Sequence, residues 1–207
     1  MKIGLFGYGK MGKMIERIAQ DRGHTLVAKI DNPSQDVDYE SMDVAIDFST
    51  PEAAFDNITN CFKNKVPVIS GTTGWLDKFS EAVNICEEHK SAFIYASNFS
   101  LGVNIFFELN KHLAKMMAGL EQYKVGMEEI HHTQKLDAPS GTAITLAEGI
   151  IENTPYEKWE LDKSGDKIIP IKSIREGTVP GTHSIAYGSP VDTIEIKHEA
   201  HNREGFA

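Results

Sequence analysis

An apolar run, Ile3-Gly4-Leu5-Phe6, leads straight into Gly7-Tyr8-Gly9-Lys10-Met11-Gly12. A glycine triplet at this spacing means little by itself, but its surroundings give it meaning. It follows a strand-like run over 2–6 and opens a helical pattern over 10–22, in which Met14, Ile15 and Ile18 recur on one face before Gly23 stops it. A second strand-like run over 25–30 ends in Asp31, nineteen residues beyond Gly12. That is a dinucleotide-binding arrangement. Gly7 permits the tight turn, Gly9 lets the backbone approach a pyrophosphate, and Gly12 lets helix and strand pack closely, while the helix N-terminus offers N–H donors to the phosphates. The plain alternative is a glycine turn with a solvated aspartate.

The alternation continues. Runs over 43–48, 66–70 and 92–96 read as strands, with helices over 51–65 and 78–89 between them; Ser49-Thr50-Pro51-Glu52 supplies a hydroxyl cap, a first-turn proline and an acid at the positive end of the helix. Strand and helix in turn predict a parallel sheet. Ligands of such sheets bind beyond the carboxyl ends of the strands, which places Phe48 and the loop Gly71-Thr72-Thr73-Gly74 at the rim where a nicotinamide ribose would lie. Asp31 is expected to accept from the adenosine ribose hydroxyls and to repel a 2′-phosphate. Asn32 follows it where an arginine clamp would stand, so NADH is the expected preference, with NADPH kept as a second cofactor because Lys10 partly replaces the clamp.

Composition bounds the rest. A chain of 207 residues suits one large or two modest domains. Thirty acidic residues against 21 basic leave a net charge of −9, which argues against a general nucleic-acid binder. Cys61 and Cys86 lie too far apart for a metal or redox pair and are expected to be reduced. With no signal-like start and no apolar run of membrane length, the expected place of work is the cytoplasm, with no membrane partner.

From Asn98 the rhythm changes. A long helix over 101–120, a strand over 123–131, a helix over 140–151, a polar linker through 166 and three strand-like runs over 167–175, 182–187 and 192–201 predict an α+β domain with a mostly antiparallel sheet. The expected fold class is therefore α/β: a Rossmann-like dinucleotide-binding domain over 1–99 and a substrate and oligomerisation domain over 100–201. The polar chemistry concentrates in Glu128 to Ala143, where a strand end carries His131 and His132, a loop carries Lys135, and Pro139-Ser140-Gly141-Thr142 begins a helix able to seat a carboxylate. Adjacent histidines on a strand point to opposite faces and make poor co-ligands, and HExxH is absent, so no metal is expected. Surface histidines on a strand edge are the plain alternative.

HHxxKxDAPSGTA, together with GYGKMG, DFSTPEA, GTTG and SNFSLGVN, resembles the 4-hydroxy-tetrahydrodipicolinate reductases of the diaminopimelate route to lysine, in the family's order and from Gly7 to Arg203. The resemblance implies NAD(P)H-dependent reduction of a small cyclic imine dicarboxylate with loss of water. It implies that Gly7, Tyr8, Gly9, Lys10, Met11 and Gly12 form the cofactor loop and that Asp31 is the ribose acid. Gly71, Thr72 and Thr73 then lie by the nicotinamide ribose, and Ala96, Ser97, Asn98 and Phe99 form the segment entering the substrate domain. It further implies proton transfer by His131 and Lys135, carboxylate binding by His132, Gly141 and Thr142, and a homotetramer built through the substrate domains' sheets. Ser140 joins the carboxylate seat from its place at the helix start.

The chain departs from the family pattern twice. The link from Asp31 to Asp43 is short where many members insert further structure. The run over 201–207 resembles a lead into a final helix, so 202–207 is expected to return to the first domain and the chain to stop early. Two other functions compete: a catalytically silent NAD(H)-responsive module, which has no need of His131 and Lys135 together, and another two-domain dehydrogenase acting on a hydroxy or amino acid, which is not expected to carry HHxxKxDAPSGT.

Overall fold

The apolar run before the glycines forms β1 (Lys2–Phe6), buried from Ile3 onward because helices cover both faces of its sheet. In the computed structural model, which describes residues 1–32 and 35–207, the chain divides into two compact units, Met1–Phe99 with Ala207 and Ser100–Phe206. Pro33 and Ser34, part of the expected short link, lie outside the described residues. Residues 202–206, expected to return to the first domain, belong to the second unit.

In the first unit β2 (Thr25–Ile30), β1, β3 (Val44–Asp47), β4 (Val68–Ser70) and β5 (Phe93–Tyr95) form one sheet in that order, every pairing parallel. Ile3 and Leu5 pack with Ile15 and Ala19 of α1 (Lys10–Asp21), while Phe6 joins Ala54, Ile58 and Phe62 of α2 (Pro51–Lys63) and Ala82 and Cys86 of α3 (Phe79–Glu88). Alternate β1 residues thus feed two cores on opposite faces. Thr50 stands at the N-cap of α2 as expected, but its hydroxyl makes no capping bond, and Pro51 and the first-turn acid Glu52 mark the start. Both cysteines are free and buried, and burial pushes the Cys61 thiol up to about 12.

The second unit starts with α4 (Leu101–Met117), where Ser100 Oγ accepts from Val103 N, and continues through β6 (Lys124–His131) to α5 (Gly141–Ile151). The stretch read as a polar linker contains a strand, β7 (Lys158–Leu161). Four residues with lysine and glutamate on alternate positions look like linker, yet Trp159 packs against the core and β7 closes the sheet edge. The sheet runs β10 (Thr193–Ala200), β9 (Gly181–Gly188), β6, β8 (Ile168–Arg175), β7. β10–β9 and β9–β6 are antiparallel; β6–β8 and β8–β7 are parallel, so the sheet is mixed where a mostly antiparallel one was expected. The overall class of a Rossmann-like unit followed by an α+β unit holds.

Candidate active site

In the first unit the glycine loop joins β1 to α1. Gly7 has φ +92°, and a Cβ there would stand 2.1 Å from the Phe48 carbonyl oxygen. A Cβ on Gly12 would stand 2.3 Å from the Gly7 oxygen, so both glycines answer to packing inside the protein. Gly9 differs: among the described residues nothing lies within 4 Å of its absent Cβ, and no side chain caps the helix it precedes. The first turn of α1, with Lys10 exposed and Met11 partly buried, is therefore open to a pyrophosphate.

Asp31 is exposed at the end of β2 and oriented by Tyr8, whose N–H donates to Oδ1 at 3.0 Å. The Tyr8 hydroxyl donates to the Glu16 carboxylate, and Lys29 Nζ lies 2.6 Å from Glu16 Oε1 and 4.9 Å from the centre of the Tyr8 ring. At the rim, the Phe48 ring fills the space a Gly71 side chain would need and lies 6.2 Å from the Phe99 ring. Thr73 is exposed, but Thr72 is turned inward, donating to Asp47 Oδ2 at 2.6 Å and accepting from Ser49 N at 2.9 Å. Asp47, almost fully buried, also accepts from Ser49, Ser70 and Asn57. Burial raises its pKa against those hydrogen bonds. Ala96 and Ser97 follow β5, with Ala96 N donating to Ser70 O. Asn98 is partly buried in the same segment.

In the second unit the site grows from the alternation of β6. Val125 and Met127 enter the apolar core, and Glu129 and His131 continue the same buried face toward the strand end. The neighbouring strands supply partners in register: Ser173 of β8 and His183 of β9 stand across from Glu129, and Arg175 of β8 across from His131. Glu129 has no exposed surface. Its Oε1 accepts from Arg175 Nη2 and Ser173 Oγ, each at 2.9 Å, and both its oxygens lie 3.1 Å from Ser140 N. Its Oε2 lies 3.2 Å from His131 Nδ1, at ion-pair distance without hydrogen-bond alignment, and 3.7 Å from His183 Nε2. Burial opposes charge on Glu129, but the close His131 ring and the hydrogen bonds from Ser140, Arg175 and Ser173 outweigh it and hold the carboxyl well below its usual range.

His183 is buried, with Nε2 3.1 Å from Ser140 Oγ and its ring centre 5.0 Å from that of His131. Burial, aided by His131, pushes its pKa down to about 3, so it is neutral. Ser140 caps α5, its Oγ accepting from Ala143 N at 3.2 Å, and is itself buried; its side chain serves the helix and His183. Gly141 is exposed with open space where a Cβ would stand, and Thr142 is partly buried beside it. Lys135 Nζ is held 2.8 Å from Asp137 Oδ2, while Arg175 Nη2 reaches the Asp137 carbonyl. His132, next after β6, is partly buried.

Glu129, His131 and His183 bring three potential metal ligands within 4.8 Å of one another. The Arg175 guanidinium on the same carboxylate sets a positive charge against a cation there. Sequence reasoning passed over Glu129, Arg175, Ser173 and His183, as it did Asp47. The period-two pattern of 125–131 was the available signal, since it puts Glu129 on the His131 face.

A parallel α/β unit with an open glycine loop, in one chain with a unit that gathers acid–base side chains at a helix start, is a two-domain nicotinamide-dependent oxidoreductase. Residues 1–99 match the family described as dihydrodipicolinate reductase, N-terminus, and residues 102–207 its C-terminus. A 4-hydroxy-tetrahydrodipicolinate reductase of Christiangramia forsetii is 58% identical over all of this chain and 88% of its own length. One of Staphylococcus aureus is 35% identical over all of this chain and 90% of its own. The solved structure of a dipicolinate-bound dihydrodipicolinate reductase from Paenisporosarcina sp. TG-14 is similar at a TM-score of 0.77 and 27% identity, over all of this chain and 90% of that one. This chain belongs to the dihydrodipicolinate reductase family.

Proposed function

We propose that this chain reduces 4-hydroxy-tetrahydrodipicolinate to tetrahydrodipicolinate with loss of water, on the path through diaminopimelate to lysine, with His131 and Lys135 moving the protons. The observation that carries the residue assignment is the placing of His131 against the Glu129 carboxylate at the end of β6, four residues before Lys135 and ten before the open N-terminus of α5. When bound, NAD(P)H supplies the hydride. Gly7, Tyr8, Gly9, Lys10, Met11 and Gly12 would hold its pyrophosphate and Asp31 its adenosine ribose. Phe48, Gly71, Thr73 and the 96–99 segment would border the nicotinamide side, with Thr72 fixing the loop from within.

The substrate is a dicarboxylate, so His132, Gly141 and Thr142 are assigned to its carboxylates, with Ser140 holding the helix start they depend on. Expulsion of the ring hydroxyl as water takes up one proton and releases one from the adjoining ring carbon, which His131 accepts, giving the conjugated imine; hydride addition to that imine then leaves negative charge on the ring that one further proton quenches. His131 and Lys135 supply the two protons taken up, each worth typically about 10²–10⁴-fold as a general acid. Lys135 exchanges Asp137 for the substrate as it does so.

NADH is the proposed preference. Asp31 presents its charge at the ribose, and Lys29, the cation two residues before it on β2, is engaged by Glu16. No metal takes part. A homotetramer through the second sheet is proposed as well, β10 being largely exposed along its length.

The test is NADH oxidation with freshly generated 4-hydroxy-tetrahydrodipicolinate, comparing wild type with His131→Gln and Lys135→Ala. Turnover is expected to fall at least about 10²-fold in each, with NADH binding retained. Unchanged turnover in Lys135→Ala sinks its role.

A further inference from the structure

The two oxygens of Glu129 do different things. Oε1 is anchored by Arg175, Ser173 and the Ser140 N–H, all within 3.1 Å. Oε2 shares only Ser140 N with it and otherwise faces imidazole, 3.2 Å from His131 Nδ1 and 3.7 Å from His183 Nε2. A carboxylate with no exposed surface is costly to bury, and a neutral side chain would accept from Ser140 and Ser173 equally well. The charge therefore calls for an explanation beyond capping α5. Arg175 balances it from the Oε1 side, leaving Oε2 to act on the rings.

The second observation lies at the opposite edge of His131. Gly181 begins β9, and a Cβ there would stand 3.1 Å from His131 Nε2 and 3.4 Å from Cδ2. Absence of a side chain keeps room at the Nε2 edge, while the carboxylate occupies the Nδ1 edge. His183 does not compete for the proton, since burial keeps it neutral.

We propose that Glu129 is a positioning residue that fixes the His131 proton on Nδ1 and leaves Nε2 as the nitrogen that exchanges protons with substrate, with Arg175 and Ser173 anchoring the carboxylate for that task. A carboxylate can only accept and repels a lone pair turned toward it, so at 3.2 Å it favours the hydrogen on the facing nitrogen; an amide in its place can donate and lets the tautomer reverse. The same carboxylate ties His131 to the start of α5 through Ser140, so proton donor and carboxylate seat are held in one frame. This role rests on the reading of His131 as a proton-transferring group.

The experiment pairs ring-nitrogen NMR of ¹⁵N-histidine-labelled protein, His131 being assigned by its loss in His131→Gln, with steady-state kinetics of Glu129→Gln. The wild-type ring is expected to carry its hydrogen on Nδ1 when neutral. In Glu129→Gln the signal is expected to move toward the Nε2–H form, with kcat down about 10²-fold and KM for the dicarboxylate little changed. A wild-type ring protonated on Nε2 overturns the proposal, and this needs no variant of Glu129 to fold. So does a Glu129→Gln protein that loses turnover with the His131 ring unchanged, which marks a purely structural role. Full turnover in His131→Gln would remove the catalytic reading instead, while the wild-type spectrum still reports whether Glu129 sets the tautomer.

Discussion

Thr72 donates its hydroxyl to Asp47 Oδ2 at 2.6 Å and accepts the Ser49 N–H at 2.9 Å, tying the end of β3 to the loop after β4. Neither end of this link reaches solvent, Asp47 being 1% and Thr72 5% exposed. The buried carboxyl thus organises the rim from below, while Phe48 and Thr73 form its outer surface.

Thr72→Val keeps the shape and removes the link. It leaves the Ser49 N–H without its acceptor and takes one donor from Asp47, a loss of about 1–3 kcal/mol for a buried group. Thermal unfolding is expected to show a lower Tm, and NADH titration a weaker Kd, because the Gly71–Thr73 backbone is no longer held. A variant as stable as wild type would mean that Ser49, Ser70 and Asn57 hold Asp47 without Thr72.

Two glycines of the loop separate folding from binding. A methyl at Gly12 meets the Gly7 carbonyl at 2.3 Å, so Gly12→Ala forces the backbone apart and is expected to cost about 1–3 kcal/mol. A methyl at Gly9 meets nothing among the described residues, and the backbone there (φ −77°, ψ −150°) is extended. Gly9→Ala is therefore expected to melt with wild type and yet to bind NADH at least tenfold more weakly, about 1.4 kcal/mol, because the methyl stands where the pyrophosphate approaches. Equal NADH affinity in wild type and Gly9→Ala would refute the assigned path of the cofactor.

The proposed cofactor preference is tested at a pair the glycine motif does not contain. Lys29 shares a face of β2 with Asp31 and is engaged by Glu16 at 2.6 Å, with the Tyr8 hydroxyl 3.3 Å away. Both pairs lower the Glu16 pKa and raise that of Lys29, chiefly through their mutual hydrogen bond. Glu16→Gln frees the ammonium for a 2′-phosphate. The ratio of NADPH to NADH affinity is expected to rise about threefold, a modest change suited to an exposed pair, and to rise less at high salt. A ratio that falls or stays fixed would place Lys29 outside the adenosine pocket.

The first unit was legible almost to the residue because its signals are local. β1, α1 and β2 are bounded by Gly7, Gly23 and Asp31, each a turn or strand-end residue that stops one periodicity before the next begins. The second unit hid what depends on pairing between distant strands. β7 is four residues long and gains its order from β8, so Trp159 and Leu161 gave the only apolar cues of its packing. The same limit applies to the site: His131, Lys135 and Gly141 stand within eleven residues, whereas Arg175 and His183 arrive through register, 44 and 52 residues later in the chain. Ser140 and Thr72 were expected to face ligand. Each is a small hydroxyl turned inward, Ser140 by its cap on Ala143 N and Thr72 by Asp47 on a neighbouring strand, and spacing alone does not distinguish the two directions.

Acid sensitivity of the second unit is expected to come in part from His183. Its folded pKa, pushed to about 3 by burial first and by His131 next, lies below the ordinary histidine value of 6.5. Between those two values the unfolded chain binds a proton that the folded chain refuses, so stability is complete above about pH 6.5 and declines as the pH falls toward 3, by at most about 1.4 kcal/mol per pH step. Glu129 adds a separate loss at lower pH, because its carboxyl is depressed and its contribution fades only once the unfolded carboxylate range is entered. His183→Gln retains a partner for the Ser140 hydroxyl and does not titrate. Denaturant midpoints from pH 7.5 to 4.5 are expected to fall with pH in wild type and to flatten in His183→Gln, the two curves converging in slope above pH 6.5. Parallel curves through the whole range would assign the acid loss to other groups.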